Sequence, residues 1–176
     1  MIFHTCRTRT LIALCVLGLL CATTGYTADL TTPEGILRAL VRANENKDMA
    51  TIAKFMAHDD DIVSYTIEGR KYVGWADFAR DMETEFKDAT RIEIPITELK
   101  VWTRGETAWF AMELDYIRYL GSGKEEVRML LPLRETGIME RRNGQWMLVT
   151  FHESFRSEVS ITPGASSSNQ AFPSLK

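Results

Sequence analysis

Beyond Cys21 the chain contains no cysteine; the three it has, Cys6, Cys15 and Cys21, all stand near the N-terminus. Were that stretch removed, disulfide staples, a cysteine nucleophile and cysteine-ligated zinc would all be excluded. Histidine is nearly as scarce. After His4 only His58 and His152 occur, too few and too far apart in sequence for a histidine-rich metal site. A surplus of positive charge is missing as well: without Arg7 and Arg9, 19 basic residues face 24 acidic ones, a net charge of −5. No basic stripe is present, so binding driven by nucleic-acid phosphates is set aside. Asp59-Asp60-Asp61 lacks the glycine and distal glutamate of a calcium loop and reads as a solvated turn.

Long apolar runs are limited to one, from Leu11 to Ala22, short of the ~20 residues a permanent membrane helix needs. Arg7 and Arg9 precede it and Thr23-Thr24-Gly25-Tyr26-Thr27-Ala28 follow it, which completes an export-signal pattern over residues 1–28. The expected location is periplasmic or secreted, with no membrane association after cleavage. A lipoprotein anchored through Cys21 is disfavoured, because Leu19 and Leu20 are bulky where such cysteines follow small residues.

Setting that segment aside leaves 148 residues, enough for one domain with a self-sufficient core, expected over 29–158. Thr32-Pro33-Glu34 opens a helix with a capping hydroxyl, a proline at the first helical position and an acid in the first turn. Ile36, Leu37, Leu40 and Val41 form its apolar stripe. Asp48 caps a short second helix, with Met49, Ile52, Ala53 and Met56 facing inward. Ile62–Glu68 alternates as a strand with Val63, Tyr65 and Ile67 on one face. Trp75, Phe78, Ala79, Met82 and Phe86 then recur at the spacing of a strongly buried helix.

From Arg91 the pattern is a meander of long strands. Arg91–Thr103 changes its apolar phase between Ile96 and Leu99 and contains Pro95, which signals a bulge or an edge. Thr107–Leu120 and Glu125–Arg142 follow. Asn143-Gly144, the strongest two-residue hairpin signal, leads into Gln145–Ser154. A polar tail, 159–176, is expected to be disordered. Three helices before a curved antiparallel meander predict an α+β cone, with the helices over the concave face and a pocket between.

Several local features fall in a recurring order: Asp60-Asp61-Ile62-Val63, Gly74 before the aromatic helix, Gly105-Glu106-Thr107-Ala108-Trp109, Arg134-Glu135-Thr136, Asn143-Gly144-Gln145-Trp146 and His152-Glu153-Ser154. On these the chain resembles the SnoaL-like group of the nuclear transport factor 2-like superfamily, over Pro33 to Phe155. The resemblance implies the cone fold and no cofactor. It leaves function open, since the superfold hosts isomerases, dehydratases, cyclases and non-catalytic binding domains.

With a two-residue turn at Asn143-Gly144, His152 falls opposite Glu135 and Glu153 opposite Arg134, each pair sharing a face. A bulge at Gly137 would shift the register and reverse the faces. Because Trp146, Leu148, Thr150, His152 and Ser154 share parity, that set is expected to face the pocket. His152 would then be a general base or a ligand-orienting donor, with Arg134 or Glu135 beside it; the plainer role is a histidine hydrogen-bonded at a strand end. Glu113 and Asp115 share parity with Trp109. Buried, they would suit proton abstraction of the ketosteroid isomerase kind; exposed, they would pair with Lys100, Arg118 or Arg128. His58 is expected as a cap at a helix end. Tyr65, Trp75 and Trp109 offer flat surface to a ring-bearing ligand, or belong to the ordinary core.

The leading expectation is an exported domain that binds a small apolar or ring-bearing ligand through Tyr65, Trp75, Trp109, Arg134, Glu135, Thr150, His152 and Ser154. A cofactor-independent lyase or isomerase with His152 or Glu113 as base is the alternative. A protein-interaction module with a filled pocket is the third reading. Apolar residues on both faces of the meander favour a homodimer formed sheet to sheet.

Overall fold

The computed structural model describes residues 28–67, 69–157 and 160–163. The segment read as an export signal, up to residue 27, and the tail beyond residue 163 lie outside the described residues. Helix α1, Pro33–Glu45, begins where Thr32 Oγ1 accepts the Gly35 N–H at 3.1 Å, a cap worth about 1 kcal/mol. It buries Ile36, Leu37, Leu40 and Ala43, while Val41 sits at the margin. Asp48 caps α2, Met49–Phe55, by accepting the Thr51 N–H at 3.1 Å. Helix α3, Gly74–Asp88, follows two short antiparallel strands, β1 (Val63–Tyr65) and β2 (Lys71–Val73), and buries Met82 and Phe86.

The rest of the sheet comprises β3 (Ala89–Glu93), β4 (Ile96–Arg104), β5 (Thr107–Leu120), β6 (Val127–Arg142), β7 (Gln145–Phe155) and β8 (Ser160–Pro163). Its order is β2-β1-β7-β6-β5-β3, with β4 also on β5 and β8 on β6. The strand expected over 91–103 is thus two strands pairing with different ends of β5. They part at Pro95, whose carbonyl accepts the Asp115 N–H at 3.1 Å, and the register slips between Ile96 and Glu98. The first expected strand is shorter than its alternation suggested, because only Val63–Tyr65 finds partners. Near residue 160 the chain adds a strand where a disordered tail was expected: β8 pairs with Val127–Leu130, the part of β6 that extends beyond its pairing with β7.

The sheet is curved and unclosed, and the three helices pack on its concave face. Ile36, Leu37 and Met139 are the most deeply buried large side chains, and Phe110, Met112 and Leu114 bring alternate positions of β5 into the same core. Burying each such side chain contributes roughly 1.5–3 kcal/mol.

The β6–β7 hairpin positions everything that follows. Asn143 (φ 52°) and Gly144 (φ 82°) both take the left-handed backbone of a tight turn whose twist matches that of the strands. Pairing runs in step from Arg142↔Gln145 to Met139↔Leu148, then shifts, so that Ile138 pairs with Thr150. Val149 is the extra residue, a one-residue bulge. It forms beside Gly137, where a Cβ would stand 2.5 Å from Thr150 O and 2.6 Å from Phe110 Cε1.

Candidate functional site

The bulge decides which side chains face inward. Trp146 and Leu148 are buried before it; after it the inward positions pass to Phe151 and Glu153. Thr150, His152 and Ser154 consequently turn to the convex face. His152 pairs with Thr136, not Glu135, and Glu153 pairs with Glu135, not Arg134. The expected His152–Glu135 couple is therefore replaced by two glutamates side by side.

Between helices and sheet lies a cavity of about 300 Å³. Its apolar wall includes Leu37, Ile52, Met82, Met112, Leu131 and Phe151. Its polar wall comes from five parts of the chain. Strand β5 supplies Tyr116 and Arg118, the next inward positions after Met112 and Leu114; β6 supplies Glu135 and β7 Glu153. Helix α3 contributes Asp81, Glu85 and Asp88, one flank of its apolar stripe, and Arg70 and Tyr72 enter from the β1–β2 hairpin.

These groups are organised in pairs. Arg70 and the Tyr72 hydroxyl both bond to the Asp81 carboxylate. The Tyr116 hydroxyl bonds to Glu85 and lies 3.1 Å from Asn44 Oδ1, and Arg118 stands 3.7 Å from Glu85. Burial, reinforced by Glu85, pushes the Tyr116 phenol well above its ordinary range; burial and the bond to Asp81 raise Tyr72 likewise. Burial pushes Glu135 up to about 8, and the neighbouring Glu153 adds to the rise. Glu153 Oε2 accepts the Ile67 N–H at 3.4 Å. At neutral pH the site thus holds one carboxyl in its protonated form against a second carboxyl, in a mostly apolar vessel.

Of the residues expected to bind a ligand, only Glu135 lines this cavity. Tyr65, Trp109, Thr150 and His152 line a wide, shallow depression on the opposite, convex face. There Tyr65 meets the His152 ring edge-on at 5.9 Å, and Trp102 stacks on Trp109 at 6.3 Å. Arg134 and Ser154 are exposed on that same face. Glu113 is there too, 3.2 Å from Arg156 and 3.6 Å from Arg134, while Asp115 lies 2.5 Å from Arg156. Both acids are half-buried on this convex face, paired with arginines other than those expected. Trp75 stacks on His58 at 4.4 Å and leans on Phe78, outside the cavity lining. His58 Nε2 reaches Ala53 O at 2.9 Å, the expected helix-end cap.

Tyr116 and the acids of α3 were not singled out from sequence, and Glu153 and Arg118 were expected in ion pairs elsewhere, not in the cavity. One signal for Glu153 was present: apolar residues occupy both parities from Trp146 to Phe151, the same kind of phase change that marked the bulge near Pro95.

A family model described as a SnoaL-like domain matches residues 34–158. No curated protein matches the chain. Among solved structures, a candidate dehydratase of the nuclear transport factor 2-like family from Streptomyces avermitilis has 16% identity and a TM-score of 0.62, covering 74% of this chain and 97% of its own. A nuclear transport factor 2-like superfamily protein from Salmonella enterica has 12% identity and a TM-score of 0.62, over 70% of this chain and 87% of its own. A candidate ketosteroid isomerase from Shewanella frigidimarina has 16% identity and a TM-score of 0.55, over 68% and 91% respectively. At these identities the structural likeness speaks for the fold, that of nuclear transport factor 2-like proteins, and the family match spans most of the chain: it belongs to the SnoaL-like family.

Proposed function

We propose that this protein binds a small, largely apolar molecule in the cavity between helices and sheet, with Glu135 and Glu153 as its polar anchor. The observation that carries the reading is Glu135, a half-buried residue whose desolvated carboxyl borders the open space. Burying such a group costs several kcal/mol unless something offsets it, and an occupant that hydrogen-bonds to it would do so. The volume, about 300 Å³, lies at the small end of the range for ligand pockets. Export to the periplasm or beyond, read from residues 1–28, is part of this proposal. So is a homodimer through the convex face, where Trp102, Trp109, Ile138 and Tyr65 are each more than two-fifths exposed.

A second reading is a cofactor-independent lyase or isomerase. The observation favouring it is that Glu135 holds a proton near neutral pH beside Glu153, a pairing suited to giving and taking protons. In that case those glutamates replace His152 and Glu113 as the acid and base. An enolate forming there would meet several carboxylates, so binding is the stronger conclusion.

The test is uptake of N-phenyl-1-naphthylamine, a neutral dye that brightens in apolar surroundings. Wild-type protein is expected to give a saturable rise in fluorescence. Leu114→Trp, which fills the cavity, should abolish it, and Trp109→Ala should leave it unchanged, with both variants checked for folding by circular dichroism. The opposite pattern would move binding to the convex depression and overturn the reading.

A further inference from the structure

We infer that the cavity selects for a ligand carrying a basic, positively charged nitrogen on an apolar body, and against carboxylates and phosphates. The inference rests on the binding reading above and names the class of ligand for the same space.

Charge is the first argument. Among the described residues, the cavity is lined by five carboxyl groups, on Asp81, Glu85, Asp88, Glu135 and Glu153, against two guanidinium groups, on Arg70 and Arg118. Each guanidinium already has a carboxylate beside it: Arg70 bonds to Asp81, and Arg118 lies 3.7 Å from Glu85. An anionic ligand would have to compete with those carboxylates for an arginine and then sit among the remaining acids. In a space with low-dielectric walls, like charges repel far more strongly than they do in water. A cation meets the reverse situation.

Geometry is the second argument. Glu135 and Glu153 occupy directly opposed positions on adjacent strands, so their side chains project together into the cavity. Glu135 makes no hydrogen bond or ion pair with any described residue. Two carboxyl groups so placed can share one ammonium, each accepting an N–H. Around them Tyr72, Phe78, Tyr116 and Phe151 contribute aromatic rings to the lining, and ring faces attract cations further. Leu37, Leu131 and their neighbours are left to hold the hydrocarbon part.

A proton signature follows. Glu135 is protonated at neutral pH, its carboxyl raised by burial and by Glu153. The other titratable or charged groups facing this space, among the described residues, are Tyr116 and Arg118 from β5, Asp81, Glu85 and Asp88 from α3, and Arg70 and Tyr72 from the β1–β2 hairpin. An arriving ammonium would favour the ionised form of Glu135, so binding releases a proton to solvent and tightens as the pH rises toward 8.

The experiment uses the full chain and three probes that share one body: 4-phenylbutylamine, 4-phenylbutan-1-ol and 4-phenylbutanoate. Each competes with N-phenyl-1-naphthylamine at pH 7. The amine is expected to displace the dye at a concentration at least tenfold below the alcohol, with the carboxylate weakest. In Glu135→Gln and in Glu153→Gln, the ratio of amine to alcohol should fall below threefold. Calorimetry of amine binding in buffers of different ionisation heat should show proton release in wild-type protein and none in Glu135→Gln. An alcohol as effective as the amine, a carboxylate that leads the series, or amine binding without proton release overturns the inference while leaving the cavity as a binding site. If the dye itself is not taken up, the binding reading fails and this inference falls with it.

Discussion

The two faces of β5, β6 and β7 are made from the same strands, yet they carry opposite arrangements of charge and aromatic surface. On the concave side a row across the sheet runs Met112, Glu135, Glu153: half-buried acids on the cavity wall, without an arginine as cross-strand neighbour. On the convex side one row runs Trp102, Trp109, Ile138, Thr150 and another runs Glu98, Glu113, Arg134, Ser154. There the aromatics are wet and the acids sit beside arginines. The difference teaches that residue type alone does not mark a site. An exposed glutamate with an arginine neighbour contributes little, with a median near 0–1 kcal/mol, whereas a desolvated one alters both stability and chemistry.

Neighbouring residues on β5 sharpen this contrast most. Phe110 is 2% exposed and Trp109 is 43% exposed. Phe110→Ala should cost about 3–5 kcal/mol in urea denaturation, as core aromatics do. A loss below about 1 kcal/mol would mean the concave face is not the core. Glu135→Gln should act in the opposite direction. Because the folded state holds the Glu135 proton more tightly than the unfolded chain, stability is fully present below the unfolded pKa and is lost as pH rises toward 8. The glutamine variant should therefore gain on the order of 2–4 kcal/mol over wild type at pH 9, and nothing at pH 4. A gain that does not change with pH would contradict the burial of that carboxyl.

Smaller effects belong to the convex side. Trp109→Ala should change the unfolding free energy of the subunit by about 1 kcal/mol or less. Sedimentation, in contrast, should move from dimer to monomer; an unchanged profile would remove the convex face as the dimer surface. His152→Ala, on an exposed ring resting against Tyr65, should shift stability by no more than about 0.5 kcal/mol and leave dye uptake intact. A large loss of uptake would return the imidazole to the binding site.

Much of the architecture was legible in advance. Thr32, Asp48 and Asn143-Gly144 announce their structures through local chemistry that tertiary packing has no reason to override. Pro95 likewise marked where one expected strand becomes two. The site was less legible, because its composition depends on a single register shift. Every assignment from Asn143 as far as Leu148 follows from counting back from the turn, and every one after Val149 is displaced by one. Glu135 was found although its partner was misassigned. Tyr116 was overlooked, and Arg118 placed on the wrong face, because β5 reads as apolar along its inward positions before them; Glu85 was overlooked because a helix flank gives no hint of what lies across from it.

The unmatched residue in β7 makes the protein's inner chemistry a matter of arithmetic. Shortening that strand by the one valine would rotate its end half a turn, drawing an imidazole and two hydroxyls into the hollow and sending a carboxylate out to solvent. Relatives that differ by such a single step would keep the same vessel and offer its contents an entirely different lining.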